Sequence, residues 1–126
     1  MRTIESSGAP APVGPYAQAV VHAGVAYLAG QVPLDPSTGE LVDGPIEAQA
    51  ERVLLNLEAV LGAAGSGWER VLKVNVYLAD LADFAAFNAV YARFLGDARP
   101  ARSTYQVAAL PLGARIEIDA IAAADS

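Results

Sequence analysis

A chain of 126 residues without cysteine reads as one domain, and it excludes disulfides, thiolate metal sites and thiol nucleophiles. The single histidine, His22, excludes a multi-histidine metal centre within one subunit, and the 8 Lys+Arg against 14 Asp+Glu, net charge −6, make nucleic acid and anionic lipid poor electrostatic partners. Apolar residues reach 54% and charged residues only 17%, below the usual share of about 25%, so part of the subunit surface is expected to be covered by other subunits.

The N-terminal sequence has no apolar core of the length a secretory signal needs, and the most apolar stretch, Val20 to Leu34, is interrupted by His22, Gly24, Gly30, Gln31 and Pro33. A cytoplasmic protein of one domain spanning residues 1–126 is the expectation. Residues 1–8 are left open between ordered and mobile, and the Pro/Gly-rich Gly8 to Pro15 reads as a lead-in loop. Ala17 to His22 and Val25 to Gln31, β-branched and aromatic runs around Ala23-Gly24, predict a hairpin. Pro33 to Gly44 is turn chemistry, with Asp35-Pro36-Ser37-Thr38-Gly39 and Asp43-Gly44-Pro45.

Pro45 then suits a first helical position, and Ile46, Ala50, Val53, Leu54, Leu57, Val60, Leu61 and Ala64 recur at steps of three and four, predicting an amphipathic helix that ends near Gly65. Val71 to Leu78 predicts a strand with Leu72, Val74, Val76 and Leu78 on one face. Asp80 or Asp83 caps a second helix with the stripe Phe84, Phe87, Val90 or Tyr91, and Phe94, closed by Gly96. Arg102 to Val107 and Arg115 to Ala123 predict two last strands joined around Leu110 to Gly113. The order ββαβαββ predicts an α+β domain with both helices on one face of a mixed sheet.

The last two strands hold the most unusual polar arrangement. Arg102, Thr104 and Gln106 share one face of their strand, and Glu117 opposes Ile116 and Ile118 on the other. If these strands pair, arginine and glutamate converge on the face without helices. A guanidinium fork for a carboxylate would then lie beside a carboxylate able to take a proton from water. An ordinary cross-strand ion pair is the alternative reading, and Arg115 and Asp119 read as solvated strand residues. Tyr16 reads equally as a packing aromatic, Asn88 as a buried amide in an apolar stripe, and His22 as a surface or satisfied histidine. Gly30 within an apolar strand suggests a bulge or a close approach of ligand to backbone.

The segment from Pro100 to Ala122, PARSTYQVAALPLGARIEIDAIA, resembles the signature region of the Rid family, the reactive-intermediate deaminases also called YjgF/UK-type proteins. Four further stretches fit in the same order: GPYAQAV, YLAGQVPLDPSTGEL, QAERVLLNLEAVLGAAG and KVNVYLADLADFAAFNAVYARFLG. The resemblance runs from about Ala9 to Ala122. It implies a chorismate-mutase-like fold, a homotrimer with ligand clefts between neighbouring subunits, and hydrolysis of 2-enamine or 2-imine acids, such as 2-aminoacrylate and 2-iminopropanoate, to a 2-keto acid and ammonia. It implies no metal and no cofactor, pyridoxal phosphate included.

By the same resemblance, Arg102 aligns with the arginine that grips the substrate carboxylate and Glu117 with the glutamate that positions the attacking water. Tyr16, Gly30, Asn88 and Thr104 align with positions lining or supporting the cleft, Gly30 and Thr104 partly through backbone groups. Ala29 stands where many members carry serine, and Thr104 where many carry cysteine. Two other readings stay open: the same fold with a dedicated catabolic substrate of the aminomuconate type, which Ala29 keeps alive, and a non-enzymatic small-molecule-binding trimer.

Overall fold

The computed structural model describes residues 1–125. Strand β1 (Arg2–Ile4) is an element that the sequence pattern did not predict, since three residues carry too little periodicity to stand out. It takes up part of residues 1–8, left open above, and pairs antiparallel with β2 (Ala19–His22), Arg2 opposite Val21. A tight turn with positive φ at Ala23 (53°) and Gly24 (79°) returns the chain as β3 (Val25–Gln31), the pattern that matches the right-handed twist of a hairpin.

Helix α1 (Ile46–Ala63) buries the predicted stripe in full, and Ala64 just beyond it is equally enclosed. Pro45 is the residue before the helix, not its first, and Gly65 at φ 72° turns the chain away, a conformation glycine adopts without steric cost. Strand β4 (Val71–Leu78) corrects one expectation. Val71, Val74, Val76 and Leu78 are buried, whereas Leu72 is 52% exposed, because a register shift between Val71 and Lys73 breaks the alternation there.

Asp80 accepts a hydrogen bond from the Ala82 amide and caps a 3₁₀ turn that leads into α2 (Phe84–Leu95). Asp83 at the helix start instead accepts from Arg115 at 3.3 Å, and Gly96 closes the helix as expected. Of the predicted α2 stripe, Phe87 and Val90 are buried while Phe84 stays 38% exposed. Strands β5 (Ala101–Gln106) and β6 (Ile116–Ala123) complete a six-stranded sheet of order β1-β2-β3-β6-β4-β5. Among these, only β4 and β5 run parallel, as the arms of a β-α-β unit around α2. The predicted strand order ββαβαββ thus gains one N-terminal strand, and the predicted mixed sheet is found.

α1 packs on β3 and β6, with α2 against α1, so the core lies between the helices and one sheet face. Phe87 is fully enclosed there, and Phe87→Ala is expected to cost about 3–5 kcal/mol of stability by leaving a cavity, to be read in denaturant unfolding. On the opposite face Tyr27 and Tyr105 stand about half exposed, beside Tyr77, Glu117 and Asp119. Among the described residues no helix is long and apolar enough to cross a membrane.

Candidate active site

The face on which each residue lies corrects the expected convergence of Arg102 and Glu117. β5 pairs with β4 and not with β6, which lies on the other side of β4. Arg102 is in register with buried Val74, so it shares the helix-covered face, whereas Glu117 is in register with Tyr77 on the open face. Within the chain the two therefore lie on opposite faces of the sheet. The cross-strand ion pair is excluded with it, and among the described residues neither side chain has an ionic partner.

What holds Arg102 instead is aromatic. Its guanidinium carbon lies 4.8 Å from the ring centre of Tyr91, 5.4 Å from Phe87 and 5.6 Å from Phe84, all on α2. Such contacts stabilise a cation without using its hydrogen-bond donors, which leaves the fork free for an anion. Burial pushes the Tyr91 hydroxyl above its ordinary pKa, while the Arg102 charge pulls it back. Half-buried Asn88 and Arg102 line one cavity of about 390 Å³ with Tyr91, Arg99 and Pro100. Thr104 follows on the same face of β5 without lining that cavity.

Glu117 belongs to a second cavity of about 490 Å³, together with Tyr16, Ala29 and Gly30. β3 and β6 lose register between Leu28 and Gln31, and this bulge brings the Gly30 backbone under the Glu117 side chain. A Cβ on Gly30 would collide with the Glu117 carboxylate, with its Cδ at 2.9 Å. The bulge that its place in the strand suggested is found, and what approaches the Gly30 backbone is the chain's own Glu117 carboxylate. Gly30→Ala is expected to displace the Glu117 carboxylate while the circular dichroism spectrum stays unchanged; a crystal structure of the variant with that carboxylate in its original place would remove Gly30 from the site.

Burial raises the pKa of Glu117 above the usual carboxylate range, and the neighbouring charge of Asp119 adds to this. Asp119 is not a merely solvated residue. It accepts hydrogen bonds from Asn75 Nδ2 and the Tyr77 hydroxyl, each at 2.8 Å, and the second pushes the Tyr77 pKa up to about 12. Sequence reasoning passed over this group, although Asp119 sits two positions from Glu117 and so on its face. Arg115, also read as solvated, is half-exposed and paired with Asp83.

Tyr16 is half exposed, and its hydroxyl accepts from the Val13 amide at 3.4 Å. Buried Gln18 was missed because a lone glutamine in an apolar run carries no pattern. It accepts from the Ser6 amide at 2.6 Å and donates to the Pro10 carbonyl at 2.9 Å, which ties down the loop forming one wall of the second cavity. His22 is exposed at the far end of β2 and lines neither cavity. Among the described residues no group of three or more His, Asp or Glu side chains gathers into a metal-binding cluster.

Among the described residues the chain thus carries two separate candidate half-sites, a cation on an aromatic platform and a carboxylate over a glycine, neither with an ionic partner. Residues 6–124 match the family model described as Endoribonuclease L-PSP. The chain is 47% identical over 121 residues to mouse 2-iminobutanoate/2-iminopropanoate deaminase, covering 96% of this chain and 90% of the relative. The crystal structure of RidA from an Antarctic Psychrobacter superposes with a TM-score of 0.94 at 46% identity, covering 98% and 99% of the two chains. Escherichia coli TdcF, crystallised with bound serine, superposes with a TM-score of 0.94 at 38% identity over 99% and 100%. The fold is the chorismate-mutase-like α+β architecture, and with matches of this length and depth the chain belongs to the Rid family.

Proposed function

We propose that the protein is an enzyme that hydrolyses reactive 2-enamine and 2-imine acids, such as 2-aminoacrylate and 2-iminopropanoate, to the 2-keto acid and ammonia. The observation that carries this reading is a pair of groups that have no ionic partner among the described residues, the Arg102 guanidinium fork and the Glu117 carboxylate of raised pKa. The relatives fit it: the mouse protein carries the name of an imine deaminase, and the ligand of TdcF, serine, has the 2-amino-acid carboxylate that Arg102 would grip.

Because Arg102 and Glu117 face opposite sides of the sheet, a complete site needs two subunits. A homotrimer closes it, Arg102 and Asn88 of one subunit completing the Glu117 cavity of the next. The exposed Tyr27 and Tyr105 on the open sheet face support burial of that face between subunits. Thr104, beside Arg102 on the edge strand, and Tyr16, at the cavity wall, bound the substrate.

Arg102 fixes the carboxylate so that the C=N carbon faces a water held by Glu117. A C–O bond forms as Glu117 takes the proton from that water. The C=N π electrons pass to the nitrogen, which is protonated as the iminium beforehand, and the carboxylic acid then returns its proton to the resulting amine. As the C–N bond breaks and ammonia leaves, the hydroxyl proton passes back to the Glu117 carboxylate and the carbonyl of the 2-keto acid forms. Burial moves the pKa of Glu117 upward, towards the working pH, and acid–base efficiency rises in that direction. The chain supplies only orientation and proton handling for a reaction that already proceeds in water. The formal charge of −6 weighs against RNA as the substrate, although the matching family model is described as an endoribonuclease.

The test is an assay in which a pyridoxal-phosphate enzyme generates 2-aminoacrylate and semicarbazide traps whatever escapes hydrolysis. Wild type is expected to suppress the trapped product. Arg102→Ala is expected to lose about 10²–10³-fold in rate while still assembling. An inert wild type would sink the reading, and an active Arg102→Ala would sink the carboxylate anchor.

A further inference from the structure

Resting on that function, we infer that Tyr91 is a positioning residue: its ring and its enclosed hydroxyl together set the direction in which the Arg102 fork meets the substrate carboxylate. Every contact involved lies within one chain, between α2 and β5. Phe84, Phe87 and Tyr91 fall at steps of three and four and so line one face of α2. Of the three rings, Tyr91 comes nearest to the Arg102 guanidinium carbon, at 4.8 Å. Fully buried Phe87 holds it in turn, with ring centres 5.4 Å apart and planes at 48°. A ring so fixed restrains the guanidinium by its cation–π attraction, but that attraction does not choose which pair of N–H groups faces the substrate.

The Tyr91 hydroxyl is the group placed to make that choice. Its oxygen is shut off from solvent and has no hydrogen-bond partner among the described residues, a rare condition for a buried hydroxyl. Because its own chain already encloses it, neither the substrate nor another subunit can supply the partner. Burial raises its pKa, and the charge and N–H groups of Arg102 pull it back, as a guanidinium close to the oxygen would. Arg99, the other cation acting on it, is engaged elsewhere, since its Nη1 donates to the Gly96 and Ala98 carbonyls at 2.7 and 2.8 Å. A small turn of Arg102 lays one N–H on the Tyr91 oxygen and leaves two parallel donors for the carboxylate.

Tyr91→Phe tests this, because it keeps the ring and removes only the hydroxyl. A hydrogen bond to a charged group is worth about tenfold in rate, so kcat/KM for 2-aminoacrylate in the semicarbazide assay is expected to fall about tenfold. The melting temperature is expected to be no lower than that of wild type, since the lost hydroxyl has no partner in the free chain. Arg102→Lys gives a second background, read with the enzyme concentration raised to offset its slower rate. An ammonium has no planar fork to direct, so there the same Tyr91→Phe change is expected to cost less than about twofold.

A Tyr91→Phe protein as fast as wild type would overturn this inference and leave the deaminase and its Arg102 anchor standing. An equal loss in both backgrounds, or a lower melting temperature, would reduce Tyr91 to a packing residue. An Arg102→Lys protein as fast as wild type would remove the fork from the reaction, and Tyr91 with it. A wild type that suppresses no trapped product would overturn the function and this inference together.

Discussion

Arg102→Ala and Glu117→Ala subunits, each inactive alone, are expected to regain activity when refolded together. The reason is the placement of the two side chains on opposite faces of one sheet. If every cleft takes Arg102 from one subunit and Glu117 from the next, a mixed ring contains one cleft built from two intact residues. Random mixing in a closed trimer then gives about a quarter of wild-type activity. Sites contained within one subunit give none, since neither chain carries both groups. The measurement is the semicarbazide assay on the co-refolded mixture, with each variant refolded alone as control. A mixture no more active than its components would sink the shared site and the trimer that goes with it.

Glu117→Gln is expected to remove about 10²–10⁴-fold of the rate, the usual contribution of a positioned acid–base group, and yet to melt higher at neutral pH. Burial and the Asp119 charge raise the folded pKa of Glu117, so the folded state binds its proton more tightly than the unfolded chain does. Such a group lends its stability in full below the unfolded pKa, near 4.3, and loses it as pH rises through the folded value. At pH 7.5, well above the unfolded value, the carboxyl group therefore costs stability that a neutral glutamine avoids. Near pH 4 the difference should close. Thermal melts of both proteins at the two pH values decide it. A wild type that melts higher at pH 7.5 would mean that Glu117 pairs outright with Arg102 of the partner subunit, leaving no free fork for a substrate carboxylate.

Much of the fold was legible because helices and strands write their burial into the local order of residues. The α1 stripe is buried at every predicted position, since a period of three and four needs no partner to be recognised. Leu72 misled for a physical reason: a bulge shifts the strand by one residue, and alternation cannot register it. β1 stayed hidden because its three residues become a strand only when β2 lies beside them. The pairing of β5 with β4 carried a usable signal, since strand, helix and strand in succession ordinarily form a parallel unit.

By itself the sequence determined the chemistry on offer: no thiol, a single histidine, sparse charge, and an arginine and a glutamate set in alternating strands. It also determined that Glu117 opposes the buried Ile116 and Ile118, because neighbours in a strand point to opposite faces. Only the tertiary structure decided that Arg102 faces the helices while Glu117 faces away, so that within one chain the two candidate residues lie apart. Alternation sets the faces within a strand, but not the phase of one strand against another. That phase comes from strand order and register, which long-range pairing and the burial of one apolar face impose together.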